Sequence, residues 1–222
     1  MRRTQGFTLI ELLISLGLLS IVLGILLTTQ STVIRSSMTQ QTSAVRLGVI
    51  TDITGYVGDR IKAAALLPDS VTVNGAVCQR SPTSGLPCLA VVVPQVGTGG
   101  QITAWELHAF QYADPAGLTV QERTPGLTGV NVALRELQLV STCGQSIPTS
   151  ATLTTCFSGT PSTSLLSDEL ALPLNGTAAF GYDPSQHLVT LRMRSVSVQN
   201  GTPSYLPAND SYALKVYARN VP

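Results

Sequence analysis

Charged residues are scarce in this chain: they occupy 11% of the 222 positions, and the formal net charge is +1. A total so close to zero gives no general attraction to nucleic acid or to an anionic membrane surface. A local basic patch remains open, because Arg192 and Arg194 share one face of a predicted strand, and Lys215 and Arg219 share a face of another. Nucleic acid is therefore a partner that the composition permits but does not support.

Histidine is nearly absent, with only His108 and His187 in the chain. His108 and Glu106 share a face of one predicted strand, but two ligands are too few for a zinc site. No G-x-S-x-G, P-loop or H-E-x-x-H motif occurs, and the glycine-rich stretch 97–100 lacks the Lys and Ser/Thr of a phosphate loop. We therefore expect no enzyme activity, no metal site and no cofactor.

Charge is also missing from residues 7–27, where Glu11 is the only ionisable side chain. This run of 21 residues is long enough to span a bilayer as a helix. Arg2 and Arg3 precede it, and by the positive-inside rule they keep the N-terminus in the cytoplasm. The sequence thus predicts a single-pass protein in contact with membrane lipid, with the rest of the chain exported.

Glu11 is the anomaly in this run, since a carboxylate near the centre of a membrane helix costs about 2.5–3.5 kcal/mol. If the chain is cut after Gly6, the new N-terminal amine belongs to Phe7, about 6 Å from Glu11 along the helix. The same amine on a neighbouring subunit could neutralise the carboxylate in a water-poor assembly. Glu11 would then set the docking register between subunits.

The helix is predicted to continue past the apolar run, to about Leu67. Apolar residues recur there at steps of three and four, which indicates an amphipathic helix, and Pro68 supplies a stop. The stripe consists of Ile34, Met38, Val45, Val49, Ile53, Tyr56, Val57, Ile61 and Ala64.

Beyond Pro68 the chain is rich in Thr, Ser, Gly, Pro and Val, which is typical of β structure. The predicted strands are 71–77, 89–93, 102–112, 118–123, 131–140, 178–182, 188–198 and 212–219, with loops at 97–100 and 142–163. A phase slip near Arg194–Ser195 predicts a bulge in the seventh of them. An antiparallel sheet would cover the helix stripe, which gives an α+β fold.

Four cysteines lie in this exported part, and an even count there favours disulfides over free thiols or a metal site. Three connectivities are open. The sequence-local one pairs Cys78 with Cys88 and Cys143 with Cys156, and each bridge would contribute about 3 kcal/mol.

The residues Gly6-Phe7-Thr8-Leu9-Ile10-Glu11 resemble the class III signal of type IV pilins and type II secretion pseudopilins. The resemblance implies that a prepilin peptidase cuts between Gly6 and Phe7 and methylates the Phe7 amine, and that Glu11 acts in assembly. The implied partners are other pilins and an inner-membrane assembly platform. The implied location is the inner membrane with a periplasmic domain, and then a periplasmic or extracellular filament.

Within the exported part, a looser resemblance is to PilW/PulJ-type minor pilins. Trp105-Glu106-Leu107, followed by Gly117-Leu118 and Arg123, looks like their paired central strands, and the stretch 216–220 is similar to their final strand. Thr28, where many major pilins have proline, also favours a minor pilin.

The predicted organisation is a leader (1–6), a membrane-spanning half of the helix (7–28), an amphipathic half (29–67) and a β-rich domain (68–222). The leading function is a structural minor pilin or pseudopilin. A tip protein that binds DNA or surfaces is the alternative, and a membrane-anchored periplasmic enzyme is a third hypothesis.

Overall fold

The protein is described by a computed structural model over residues 8–127, 129–199 and 201–221. It divides into two units, residues 1–45 and residues 46–222. A single helix, α1 (Leu9–Ala63), contributes to both units. The proposed cleavage site, Gly6 and Phe7, lies outside the described residues.

The second unit is built mainly from antiparallel strands. Within the described residues these are β1 (Ser70–Val73), β2 (Ala76–Gln79), β3 (Cys88–Val96), β4 (Ile102–Ala113), β5 (Val132–Val140), β6 (Ser162–Ala171), β7 (Phe180–Asp183), β8 (Leu188–Gln199), β9 (Thr202–Leu206) and β10 (Tyr212–Tyr217). β1 and β2 form a separate hairpin. The others form one sheet in the order β10-β8-β6-β5-β4-β3, in which β7 and β9 also pair with β8. The predicted α+β architecture is confirmed.

The last part of α1 covers one face of this sheet. Ile50, Val57 and Ile61 are fully buried and share a core cluster with Phe110 and Tyr112, which point from β4 to the same side. Each buried side chain of this size contributes about 1.5–3 kcal/mol relative to an exposed one. The helix stripe and the sheet face therefore stabilise each other, as the two hydrophobic patterns require.

The opposite face of the sheet has a second core. Trp105 and Leu107 alternate along β4 with the residues of the first core, and they pack with Leu153 and Phe157. Leu153 begins α2 (Leu153–Cys156), a single turn. Both faces of the central strands are thus buried, one by a long helix and the other by short segments.

The helix ends at Ala63 and not at the predicted Leu67. The backbone N–H groups of Ala65 and Leu66 donate to the carbonyl of Val92, at 2.8 and 3.4 Å, and the Val92 N–H returns a bond to Leu66 at 2.9 Å. Contact with β3 therefore takes the chain out of the helix before Pro68 would stop it.

The predicted strand 71–77 is in fact two strands joined by a tight turn. Asn74 and Gly75 have φ values of 50° and 76°. Asn-Gly with positive φ at both positions is the hairpin signal of a two-residue turn, and it interrupts an otherwise continuous β pattern.

The prediction of a strand at 118–123 is wrong. Val120–Glu122 is a 3-10 helix, and Glu122 accepts hydrogen bonds from the N–H and the hydroxyl of Thr119, both at 2.9 Å. β4 pairs with β3 and β5 instead. The expected pairing of Trp105-Glu106-Leu107 with the segment around Leu118 and Arg123 is therefore also wrong.

The phase slip in β8 is not a bulge, because no register shift occurs in the described pairings of this strand. Met193 belongs to the core under α1, whereas Val196 belongs to a third, small cluster with Leu127 and Ala171. The strand is continuous, and the apolar phase changes because its two ends are buried on opposite faces.

The predicted loop 142–163 contains α2 and runs into β6, and neither β6 nor β9 was predicted. β6 begins Ser-Thr-Ser, and its first three residues are exposed. Such a sequence matches a loop composition, so the strand is defined by its pairing with β5 and not by its own apolar pattern.

Candidate functional site

The apolar N-terminal part of α1 is exposed within the described residues. Its most hydrophobic window of 18 residues has a mean hydropathy of 2.6, and none of that window is buried. By length and composition this helix is able to cross a membrane. Exposed apolar surface of this extent marks a membrane or protein contact.

Glu11 lies at the start of this helix and caps it. Its carboxylate accepts hydrogen bonds from the Thr8 N–H at 3.0 Å and from the Thr8 hydroxyl at 2.9 Å. The Glu11 N–H donates to the same hydroxyl oxygen at 3.4 Å. Thr8 precedes the first helical residue, so the pair forms a capping box, which satisfies N–H groups that the helix itself leaves free.

Comparison with known protein families adds one match at this end of the chain. The family described as the prokaryotic N-terminal methylation motif matches residues 1–27. The match covers the basic leader, Gly6, Phe7, Glu11 and the apolar run. The chain carries a type IV pilin-like class III signal. Such a signal is processed by prepilin peptidase. No curated protein and no solved structure matches the chain.

The match does not extend beyond residue 27, so the closer likeness of the β-rich part to PilW/PulJ-type minor pilins stays a prediction. The role of Glu11 in docking also stays a prediction. Within a single chain the carboxylate already has a local partner in Thr8. Any assembly role must therefore use it in addition to, or in place of, this cap.

Two disulfides cross-link segments of the second unit. Cys78 bonds to Cys88 and Cys143 to Cys156, which is the sequence-local connectivity. The first closes the loop between β2 and β3. The second ties α2 back to the segment that follows β5, and Cys78, Cys88 and Cys156 are all buried in the second core.

Arg46 is the first residue of the second unit, and it makes buried contacts that the sequence did not predict. Its side chain is buried, and it donates to the Ser195 hydroxyl and carbonyl, both at 2.9 Å, and to the Ser204 carbonyl at 2.8 Å. Burial lowers the pKa of this guanidinium, although the charge of Glu169 opposes that effect. The spacing indicates this burial, since Arg46 lies four residues before Ile50 and so on the same face of the helix.

A second missed feature is a polar network under α1. The Tyr56 hydroxyl lies 2.9–3.0 Å from both carboxylate oxygens of Glu136, and His108 Nδ1 lies 2.7 Å from one of them. Burial would raise the pKa of Glu136, but the hydrogen bonds with His108 and Tyr56 outweigh it and lower that pKa. The other ring nitrogen of His108 lies 3.3 Å from Glu106. The predicted pair of Glu106 and His108 is thus part of a helix-to-sheet contact.

This network is not a metal centre of the usual kind. Across 8–127, 129–199 and 201–221, no group of three or more His, Cys, Asp or Glu side chains is arranged to hold a metal ion. His187 lies elsewhere, in a turn before β8, with a φ of 49°. The chemistry that the network supports is hydrogen bonding between α1, β4 and β5.

Of the two basic pairs considered for nucleic acid, Lys215 and Arg219 are exposed, whereas Arg192 and Arg194 are engaged by backbone carbonyls. Arg194 is buried and donates to the carbonyls of Pro207 and Ala208. Arg192 donates to the Ala178 carbonyl at 3.2 Å. Lys215 is exposed on β10, opposite Thr190. A phosphate backbone would reach Lys215 but not Arg194, so the predicted Arg192–Arg194 pair offers it no double contact.

Proposed function

We propose that this chain is a structural minor pilin or pseudopilin, cut between Gly6 and Phe7 and assembled through its N-terminal helix into a type IV pilus or a type II secretion pseudopilus. The observation that carries the proposal is the methylation motif at residues 1–27, which runs into an uncovered apolar helix. The exported domain serves as the outward-facing part of the subunit, and no catalytic role is assigned to it.

In this proposal Glu11 has two successive uses. In the single chain its carboxylate caps the helix through Thr8. In the assembled filament it pairs with the Phe7 amine of a neighbouring subunit, and breaking such a buried pair by deleting one partner costs about 3–5 kcal/mol. Loss of the cap alone costs about 0.5–2 kcal/mol, so the two uses differ in size and in chemistry.

Three variants separate these uses. Glu11→Gln keeps an oxygen that can accept from Thr8 but removes the charge, Thr8→Val removes the hydroxyl but keeps the charge, and Glu11→Val removes both functions. The readout is the amount of tagged protein in sheared filaments relative to the amount in membranes. We expect Glu11→Gln and Glu11→Val to reduce incorporation strongly, and Thr8→Val to reduce it only slightly.

Equal loss in Thr8→Val and Glu11→Val, with normal incorporation of Glu11→Gln, would reduce Glu11 to a helix cap. Normal incorporation of all three would remove the assembly role altogether. Membrane insertion should be intact in each variant, because none adds charge to the apolar helix.

Processing has its own test. Mass spectrometry of the N-terminal peptide should find a mature chain of 216 residues, six fewer than the 222 of the precursor, that begins with methylated Phe7. Gly6→Ala should accumulate the precursor. An intact Met1 in protein recovered from filaments would contradict the proposal.

A further inference from the structure

The two disulfides differ in the exposure of their cysteines. Cys78 and Cys88 are 3% and 1% exposed, and both belong to the second core. Cys156 is buried in the same core, at 1%, but its partner Cys143 is exposed. A thiol reduces a disulfide by attacking one of its sulfur atoms, so the reaction depends on access to that atom. Cys143 is therefore the cysteine of this chain that a thiol in solution can reach.

The segment 144–155, which the second disulfide closes, is held on the second core by few other contacts. Pro148 and Leu153 are its buried residues, and the rest of it is exposed. The Gln145 carbonyl accepts a hydrogen bond from Trp105 Nε1 at 3.0 Å. The segment contains no charged residue, so no ion pair holds it. A segment with so little buried surface opens at a low cost in free energy once its covalent restraint is gone.

Trp105 lies beneath this segment. It is the only tryptophan of the chain, belongs to β4 and is 4% exposed. Leu153 packs with it in the second core, and the Gln145 carbonyl is the acceptor for its indole N–H. Loss of both contacts should leave the indole ring open to water. The state of the disulfide is thus coupled to the surroundings of a single fluorescent side chain.

We propose that Cys143–Cys156 is a redox-sensitive disulfide, and that its reduction by a dithiol releases the segment 144–155 and exposes Trp105. One thiolate of the dithiol attacks the Cys143 sulfur, the bond between the two cysteines breaks, and Cys156 leaves as a thiolate that takes up a proton from water. The second thiol of the reductant, as a thiolate, then displaces Cys143, which is protonated in turn. The chain gains two thiols, and the reductant becomes a disulfide.

The rest of the domain keeps its own restraints in the reduced state. Cys78 and Cys88 stay joined, because both are buried. The first core lies on the opposite face of the sheet and contains no residue of the segment. The opening is therefore local, and oxidation of the two thiols reverses it. The inference concerns the domain alone, so it does not depend on filament assembly.

The first test maps where a thiol attacks, in the full mature chain in detergent at neutral pH. Reduced glutathione is added for increasing times, free thiols are blocked with N-ethylmaleimide, and the peptides are identified by mass spectrometry. At the earliest times we expect glutathione on Cys143 and N-ethylmaleimide on Cys156, formed at least about tenfold faster than any product at Cys78 or Cys88. Equal rates at the two disulfides, or glutathione shared equally between Cys143 and Cys156, would overturn the proposal.

The second test follows Trp105. Dithiothreitol should shift its fluorescence emission to longer wavelength with the time course of Cys143–Cys156 reduction, while the far-UV circular dichroism of the strands stays unchanged. Oxidised glutathione, added after the dithiothreitol is removed, should restore the emission. Unchanged emission after complete reduction would show that the segment stays in place. Loss of the strand signal together with the shift would mean that this disulfide keeps the whole domain folded, and either result overturns the proposal.

A pair of variants isolates the bond. Cys143→Ser combined with Cys156→Ser should emit at the longer wavelength without reductant and should not respond to dithiothreitol. Thr154→Ala, at an exposed position of α2 between the two cysteines, is the matched control and should respond as the natural chain does. A full response in the double serine variant would assign the shift to Cys78–Cys88 and overturn the proposal. The glutathione map uses the natural chain, so it decides the question even where the double variant fails to fold.

Discussion

Residues 9–45 and residues 46–63 belong to one helix, yet within the described part of the chain only the later segment has buried residues. In the earlier segment every residue is exposed except Ser43, which is half-buried. In the later one a buried stripe runs along one face at steps of three and four residues: Arg46, Ile50, Ile53, Val57 and Ile61. The same secondary structure thus depends on two different environments.

The two segments differ in whether their apolar side chains find partners in the sheet. The stripe after residue 45 finds its partner in the sheet, so its apolar residues count towards the stability of the domain. The predicted stripe also included Ile34, Met38 and Val45, which are 55%, 63% and 62% exposed. These residues have no apolar partner within the described chain, so their spacing alone did not determine burial.

The largest expected effect comes from shortening one isoleucine in each segment. Ile50→Ala removes a fully buried side chain from the first core and should lower the free energy of unfolding by about 2–5 kcal/mol. Ile21→Ala removes the same atoms at a position that is 60% exposed and should leave domain stability unchanged. Urea unfolding of the two variants in the same detergent measures both values. Similar losses in both would contradict the division between the segments.

The two disulfides should stabilise only the second unit, because all four cysteines lie in it. Replacing Cys143 and Cys156 by serine should destabilise the domain by about 3 kcal/mol in the loop-entropy model, since α2 would no longer be tied over the second core. Hydrogen exchange should rise in peptides from residues 132–171. It should stay unchanged in peptides from residues 9–45 in detergent, and a rise there would show that the two segments are coupled.

The helix, its buried positions and the final strand could be predicted because each has a strong apolar period. Ile53, Val57 and Ile61 are buried as the spacing predicts, and Val216 and Ala218 alternate towards the core on the last strand and just after it. These patterns are local to one element, so a single sequence contains the information.

The wrong strand predictions have a common cause. The partner with which a segment pairs cannot be predicted from the residues of that segment alone. Leu118 and Val120 alternate as a strand would, but Leu118 ends one 3-10 helix and Val120 begins the next, which Thr119 and Glu122 cap. β6 has a loop composition and is a strand only because β5 lies beside it. The buried contacts of Arg46 join positions 149 and 158 residues apart, a distance over which no local period operates.

Arg46 itself gives the next largest effect. Arg46→Met keeps most of the length of the side chain but leaves the carbonyls of Ser195 and Ser204 without this donor, which should cost about 2 kcal/mol. Arg35→Met is the matched control, since Arg35 is exposed on the same helix within the first unit. The difference between their unfolding free energies measures the contact. A value near zero would mean that water replaces Arg46 without loss.

The smallest effect is a dependence on pH in the contact between the later segment and the sheet, where Tyr56 meets Glu136. The pKa of Glu136 is lower in the folded protein than its ordinary value, because the hydrogen bonds with His108 and Tyr56 outweigh the effect of burial. The stabilisation that these hydrogen bonds give the folded protein is therefore complete at pH values above the pKa of an unfolded Glu side chain, about 4.3. It is lost as the pH falls through the lower pKa of Glu136 in the folded protein.

Tyr56→Phe removes the helix side of this contact, so it should cost about 1 kcal/mol at pH 7 and less at pH 3. Other carboxylates, such as Glu122 and Asp183, also have lowered pKa values, and the natural chain will itself lose stability in acid. The informative quantity is therefore the difference between the natural chain and Tyr56→Phe, measured by urea unfolding at both pH values. In a Glu136→Gln background that difference should no longer depend on pH, because the amide oxygen can still accept from the Tyr56 hydroxyl but does not titrate. A difference that stays constant with pH in the natural background would mean that the Tyr56 hydroxyl stabilises the fold without the Glu136 charge. The edge-to-face contact of the Tyr56 ring with Phe110, whose centre lies 6.2 Å away, is kept in Tyr56→Phe and does not contribute to this difference.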